Sequence, residues 1–322
     1  MSVGTPGAPS PISPAVEALE LTEVDVSVWR LRMRRLKQDR AAMLGAWVLG
    51  VLLALTFLGP TVGALWGLDG VTTDLLSRFE PPSAEHWLGH DEAGRDVMMR
   101  LLIGGQTSLS IGLIAALGCT LVGTVIGATA GYFRGQVDMV LMRFTDFMIS
   151  LPSLPLLIIL AAIDLSKLGV PQTFINSGAA AYWRIILIVT ILGWTGVARL
   201  VRASTLALTE REFVMSARAQ GAGAWWILTR HILPNAVSPV IVATTLAMGR
   251  ILLTESGLSF LGVGIQLPMT SWGAMLTNAQ DLMATAPELA LYPGALIFIS
   301  VLAINFLGDG LQSAFDPRSD PR

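Results

Sequence analysis

Four stretches of this chain, residues 41–68, 101–133, 232–249 and 289–308, contain no Asp, Glu, Lys or Arg. About 20 consecutive, mostly apolar residues suffice to cross the hydrocarbon core of a bilayer as a helix. Four such runs in 322 residues leave few alternatives to a polytopic membrane protein. Composition points the same way: 14% of the residues are charged and 53% hydrophobic, whereas a soluble domain carries about 25% charged residues. With so few charges the chain cannot cover a water-facing surface, which excludes a soluble enzyme. The net charge of −2 gives no basic field for nucleic acid. The single cysteine, Cys119, lies in an apolar run, which excludes an internal disulfide and a Cys-based metal site.

Two weaker runs complete the set. Residues 138–163 carry Asp138, Arg143 and Asp146 at their start and then run apolar from Phe147 to Ile163, and residues 180–198 are interrupted by Arg184. The expectation is an all-α fold with six transmembrane helices. Before the first span stand Arg30, Arg32, Arg34, Arg35, Lys37 and Arg40, and positive residues stay in the cytoplasm. Six spans then place both termini inside. On that topology fifteen Lys and Arg residues fall inside and five outside, with Arg250 within a span.

The chain divides into a cytoplasmic tail over 1–29, a basic segment with the first span over 30–66, an extracytoplasmic loop region over 67–103, a membrane core over 104–313 and a C-terminal tail over 314–322. The tail over 1–29 holds four prolines, four acids and no long apolar run, a composition of disorder. It lacks the basic start and short apolar stretch of a cleaved signal, so the first span reads as an uncleaved anchor. Glycines at 123, 127 and 131 predict a close helix–helix contact in the second span. Asp146 lies three residues from Arg143, which predicts an ion pair on one helix face.

The most informative segment runs from Leu206 to Ile232 and on to Asn235, LALTEREFVMSARAQGAGAWWILTRHILPN. It is cytoplasmic by the charge rule, and charged residues interleave with apolar ones. Gly221 and Gly223 predict a break between two short helices, and Pro234 ends the second or begins the fifth span. An amphipathic hairpin of this kind needs lipid or a partner to cover its apolar face.

The segment resembles the cytoplasmic coupling loop of ABC-importer permeases, whose pattern is Glu-Ala-Ala, three residues, Gly, nine residues, Ile-x-Leu-Pro. Met215, Ser216 and Ala217 occupy the first triplet, Gly221 the glycine, and Leu233–Pro234 the end. Met215, Ser216 and His231 depart from the pattern, which then expects Glu, Ala and Ile. Residues 86–112, with His-x-Leu-Gly-x-Asp-x-x-Gly-Arg-Asp, residues 255–276, ESGLSFLGVGIQLPMTSWGAML, and the ending LGDGLQSAFDPR at 307–318 are similar to the dipeptide/oligopeptide/nickel-type importers. The likeness spans roughly 30–318 and fits the second permease of the pair.

That resemblance implies a type I importer permease fold in a bacterial or archaeal cytoplasmic membrane. It implies a second, homologous permease, two cytoplasmic ATPases that bind ATP and Mg, and an extracytoplasmic solute-binding protein. The cargo it implies is a peptide or a related small solute, moved by alternating access. Glu212, Phe213, Val214, Met215, Ser216, Ala217, Gly221, Leu233 and Pro234 become the ATPase-coupling residues, with Phe213, Val214, Ala217 and Gly221 facing the ATPase and Trp225, Trp226 and Ile227 the membrane or permease core. Arg250 and Glu255, five apart in the fifth span, become candidates for the translocation path or the permease interface, because charge within a span is costly.

The chain itself has no P-loop: its two lysines, Lys37 and Lys167, follow Leu36 and Ser166, not the glycine that phosphate binding needs. No cofactor, catalytic residue or metal is assigned to it. His86 and His90 have the spacing of a zinc or nickel pair on a helix, yet Trp87-Leu88-Gly89 reads as loop, and the structural role is preferred. Asp91, Gly94, Arg95 and Asp96 are assigned to bracing that outer loop. An ion-coupled secondary transporter would place acids at mid-membrane, and spans one, two and six have none there. A membrane enzyme would need a clustered nucleophile, base or metal, for which only the His86–His90 region offers material.

Overall fold

A computed structural model describes residues 28–315. Most of the tail assigned to 1–29 and of that assigned to 314–322 therefore lies outside the described residues. Those described are helical, with one isolated β-bridge between His90 and Asp96. Helix α1 (Val28–Gln38) is basic and ends at Asp39, whose carboxylate accepts from the Ala41 and Ala42 amides at 3.0 and 3.1 Å and so caps α2 (Arg40–Leu65). Helix α3 (Val97–Phe133) starts on Asp96, which accepts from the Met99 amide at 2.7 Å. An acidic cap satisfies the free amides of the first turn and meets the positive end of the helix dipole.

The two weaker runs are each folded as a bent pair. Helices α4 (Gly135–Ser150) and α5 (Ser153–Ala161) meet at 82°, and α6 (Ala179–Gly193) and α7 (Thr195–Thr209) at 44°. Pro152 sets the first bend: it holds Leu151 extended, at ψ 135°, as steric clash with a following proline ring requires. Helix α8 (Glu212–Ala219) is short and α9 (Ala224–Phe260) long, followed by α10 (Glu288–Phe315). By length and composition α2, α3, α9 and α10 can each cross a membrane, and the bent pairs bring the number to six if each is one span.

Three expectations need adjusting. Residues 97–103 of the region assigned to the outer loop (67–103) are helical, the first turns of α3 on the Asp96 cap. The second short helix after Gly223 is not separate but the base of α9. A π turn at Leu228–Ile232 carries the chain past Pro234 without a break, with the Leu233 amide donating to the Leu228 carbonyl across the wider turn. Asp146 does not pair with Arg143. Its carboxylate is taken by Arg199 Nη2 of α7 at 2.6 Å, and Asp138 is held by Arg202 of the same helix, with Nη2 2.6 Å from Oδ2. A guanidinium on the facing helix reaches these carboxylates head-on, so the ion pairs tie α4 to α7.

Helix α3 is the centre of the bundle, in contact with α2, α6, α7 and α9. Its seam with α7 is made of small residues. A Cβ on Gly123 would lie 2.7 Å from the Trp194 carbonyl oxygen, one on Gly127 would overlap the Ala198 carbonyl oxygen, and one on Gly131 would lie 2.7 Å from Thr205 Cβ. Only hydrogen fits at these three levels, so the backbones touch along three successive turns, the arrangement that the Gly-x-x-x-Gly spacing predicts. One turn earlier on α3, Cys119 packs on α6 instead: it is fully buried, with Sγ 3.6 Å from the Val189 carbonyl oxygen.

Gly127→Leu forces α3 and α7 apart, and overpacking of a close contact costs about 1–3 kcal/mol or more. Its thermal midpoint, read by size-exclusion after heating in detergent, should drop by several degrees. Gly50→Leu is the control, because a Cβ on Gly50 of α2 meets nothing within 4 Å; equal midpoints for the two variants would refute the seam.

Candidate functional site

The segment between α7 and α9 is one short helix on a fixed base. Arg134, at the end of α3, bonds through Nη2 to Thr209 Oγ1 at 2.8 Å and to Glu210 Oε1 at 3.0 Å, which pins the end of α7. The inner face of α8 is Val214, wholly buried, and Ala217, 8% exposed. Both sit with Ala128, Val197, Val201, Ile227, Leu228 and Ile232 in one apolar cluster. Val214 and Ala217, expected to face the ATPase, thus face the core of the bundle. The periodicity is that of a helix lying on a bundle: residues three apart point one way. The outer face carries Glu212, Phe213 (41% exposed), Met215 (53%) and Ser216. Trp225 and Trp226 are exposed on this chain, whereas Ile227 is buried in the core as expected.

Gly221 ends α8 with a definite geometry. Its φ is +84°, its amide donates to the Arg218 carbonyl at 3.0 Å, and the next amide, of Ala222, donates to the Ala217 carbonyl at 3.1 Å. This pair of bonds is a Schellman turn, in which a left-handed residue satisfies the last carbonyls of a helix. The four-residue interval from Ala217 to Gly221 is the interval of that turn. Beyond it lies a concavity of about 660 Å³ bounded by Phe213, Ser216, Gly221, Trp226 and His231. Trp226 packs on His231 at 4.7 Å between ring centroids, and Phe213 lies 5.9 Å away. Leu233 is half-buried and Pro234 exposed, both within the first turns of α9 past the π turn.

Arg250 and Glu255, paired by proximity in the sequence, face different surroundings. Arg250 is exposed. It lies where two cavities meet, one of about 350 Å³ that also touches Arg199 and Thr254, and one of about 710 Å³ that reaches Asn235, Ser238 and Gln312. Glu255 is wholly buried. Its carboxylate accepts from Ser259 Oγ at 2.8 Å and from Ser108 Oγ of α3 at 3.1 Å, and Ser259 Oγ in turn accepts from the Ile265 amide at 3.0 Å. Ser108 in turn accepts from the Trp272 amide at 3.2 Å, and the Trp272 indole donates to the Leu101 carbonyl at 2.8 Å. Glu255 therefore ties α3, α9 and the loop after α9 together. Ser108 and Trp272 were not singled out in the sequence; a serine within an otherwise apolar span was the available signal.

The motif at 86–96 forms a second knot beside the first. Asp91 binds the Arg95 guanidinium at 2.9 Å and that of Arg100 at 3.2 Å, with all three side chains less than 10% exposed. Arg100 continues to Thr270 Oγ1 at 3.3 Å, which joins this loop to the one after α9. His86 Nδ1 is 2.8 Å from Asp96 Oδ2, and His90 Nδ1 is 3.6 Å from Glu80. Each ring is thus turned to a carboxylate, and among the described residues no group of three His, Cys, Asp or Glu side chains is placed to hold a metal. Gly94, at φ +71°, passes against the Asp74 carbonyl, where any Cβ would overlap it. Asp74 itself accepts from the Leu76 amide and the Ser77 hydroxyl, which hold its carboxyl below the usual range. The bracing assigned to Asp91, Gly94, Arg95 and Asp96 corresponds to these contacts.

Comparison with known proteins places the geometry. Residues 123–321 match the family described as binding-protein-dependent transport system inner membrane component, and residues 27–82 match the N-terminal TM domain of oligopeptide transport permease C. The chain is 39% identical over 291 residues to the glutathione transport system permease protein GsiD of Pectobacterium atrosepticum, covering 90% of this chain and 91% of that one. It is 36% identical to the dipeptide transport system permease protein DppC of Alkalihalophilus pseudofirmus, covering 91% of each. It is 32% identical to the oligopeptide transport system permease protein OppC of Bacillus subtilis, covering 94% of each.

Two variants test the local geometry without any transport assay. Gly221→Val meets no neighbour within 4 Å but must hold φ +84°, at about 1–2 kcal/mol for an L residue. Trypsin should cut it at Arg218 several-fold faster than the parent, with Gly221→Asn intermediate; an unchanged rate would rule out the turn as a constraint. Glu255→Leu strands the Ser108 and Ser259 hydroxyls, at about 1–3 kcal/mol each, so its thermal midpoint should fall well below that of Glu255→Gln. The reverse order would disprove the knot.

Proposed function

This chain belongs to the inner membrane components of binding-protein-dependent transport systems, and from that membership we propose that it carries peptides through a bacterial cytoplasmic membrane as the second of two permease subunits. It is a transport subunit without an ATPase site of its own, in a family that works with ATPase and binding-protein partners. The peptide cargo is supported by the relatives, whose names include dipeptide, oligopeptide and glutathione transport. The partner set comprises one homologous permease, two cytoplasmic ATPases that hold ATP and Mg, and an extracytoplasmic solute-binding protein. Both termini are cytoplasmic, on the strength of the basic residues that precede α2 and follow α7.

One observation carries the mechanism: α8 is anchored on its inner face and bare on its outer face. Val214 and Ala217 fasten it to α7 and α9, while Phe213, Met215 and Ser216 remain uncovered beside the His231 concavity. An apolar side chain of this kind, left on a cytoplasmic surface, suits a groove on an ATPase. Closure of the ATPases on ATP then moves α8 with them, and α7 and α9 follow because their contacts with α8 are packed. Cores of this density rearrange between discrete arrangements rather than by continuous deformation. The paired permeases thereby exchange outward and inward openings, and the solute passes between the two subunits.

The test is a pull-down of the tagged chain, co-expressed with its partners, from detergent-solubilised membranes. The parent should recover the ATPases and the second permease together. Phe213→Ala with Met215→Asp should release the ATPases, reducing their yield at least tenfold, and keep the permease. Retention of the ATPases by this variant would show that α8 is not their seat.

A further inference from the structure

Arg250 is a charged side chain within a long span whose role the packing does not supply. It lies ten residues before the end of α9, about 15 Å along the helix. An arginine at that depth is costly in hydrocarbon, and such residues face a cavity, a charge partner or a water-filled path. No carboxylate among the described residues pairs with Arg250, whereas Asp146 is taken by Arg199, Asp138 by Arg202, and Glu255 by serines. The guanidinium is exposed on the surface of the chain.

Its surroundings have a direction. The cavity on one side is bounded by Asn235, Ser238, Val242, Leu246 and Gln312, and the one on the other by Ser153, Thr195, Ala247 and Thr254. Gly196 of α7 and Arg250 of α9 border both. The α9 positions 235, 239, 242, 246 and 250 recur at three and four residues, one face of a helix. Together the cavities form a groove along α9, from the base of the helix near α8 towards its outer end, with Arg250 at the neck. Volumes of about 350 and 710 Å³ fall within the range of small-molecule sites, about 300–1,000 Å³.

We propose that Arg250 is an anion subsite at the neck of the translocation groove and takes the carboxylate of the solute in transit. The proposal rests on the peptide reading above, because every unmodified linear peptide ends in a carboxylate. A guanidinium binds that group through paired N–H donors. A single cation gives a contact that binds any such solute and discriminates little between side chains. Of the other guanidiniums on the groove walls, Arg199 is held by Asp146 and Arg32 donates to Ser238, so release needs the one ionic contact at Arg250 broken.

The experiment uses the whole transporter in proteoliposomes, with Cys119, which is buried, replaced by serine so that Arg250→Cys is the sole thiol of this chain. Membrane-impermeant methanethiosulfonates should label the new cysteine in the assembled transporter. Uptake of a radiolabelled dipeptide per ATP hydrolysed should fall about tenfold, the loss of one charge-assisted hydrogen-bonded contact. Aminoethyl methanethiosulfonate, which restores a cation, should recover most of it; the neutral hydroxyethyl and anionic sulfonatoethyl reagents should not. A thiol shielded in the complex would overturn the proposal and seat Arg250 against the partner permease. Equal recovery by the hydroxyethyl reagent would also overturn it, since bulk and not charge would matter. If the Cys119→Ser parent takes up no peptide at all, the peptide reading is what fails, and labelling still decides whether Arg250 faces the path.

Discussion

In a bilayer the hydrophobic effect cannot draw two helices together, because lipid tails are as apolar as leucine. Association then depends on how closely backbones approach and on the few polar groups that bond across the gap. The seam of α3 with α7 supplies both. Gly123, Gly127 and Gly131 bring the backbones into contact, and at its end Arg134 fastens α3 to Thr209 and Glu210. With α7 fixed on α3, the ion pairs from Arg199 and Arg202 fix α4. The apolar cluster around Val201 then fixes α8. The position of the exposed element is in this sense set by hydrogen atoms on three glycines about one turn apart.

At the other end the bundle is held by polar groups rather than small ones. Glu255 and Asp91 are both buried, and each gathers donors from more than one segment. Thr270 and Trp272 lie two residues apart and join the two knots. A buried carboxylate with its donors in place gives directional bonds that specify one arrangement of loops, and removing any partner leaves a costly unsatisfied group. The two ends therefore differ in kind: close packing of α8 at one, and a bonded network at the other.

Much of this was legible in the sequence, for identifiable reasons. The spans appear because charge is excluded from them, and the seam because glycine every fourth residue has few other uses in a span. Gly221 was legible as a break, though the Schellman turn explains why it stands four residues after Ala217. Side-chain direction was harder to read. Val214 and Ala217 lie on the side of α8 that meets α7 and α9, and nothing local distinguishes that side from the one bearing Phe213 and Met215. The partners of Asp146 and Glu255 were out of reach for a related reason. Arg199 and Ser108 lie 53 and 147 residues away, and a sequence pattern records neighbours along one helix, not across the bundle.

The π turn at Leu228–Ile232 has a mechanical consequence. By carrying α9 past Pro234 without a break, it makes one continuous helix of 37 residues with Pro239 inside it, about 55 Å long at 1.5 Å per residue. The helix has Ile227 buried beside α8 at one end and Glu255 in the polar knot at the other. Over that length, a tilt of about 10° about the base displaces the far end by about 10 Å. A small stroke at one surface is thus geared up to a displacement at the other as wide as a helix, and a hinge at Pro234 would have absorbed it.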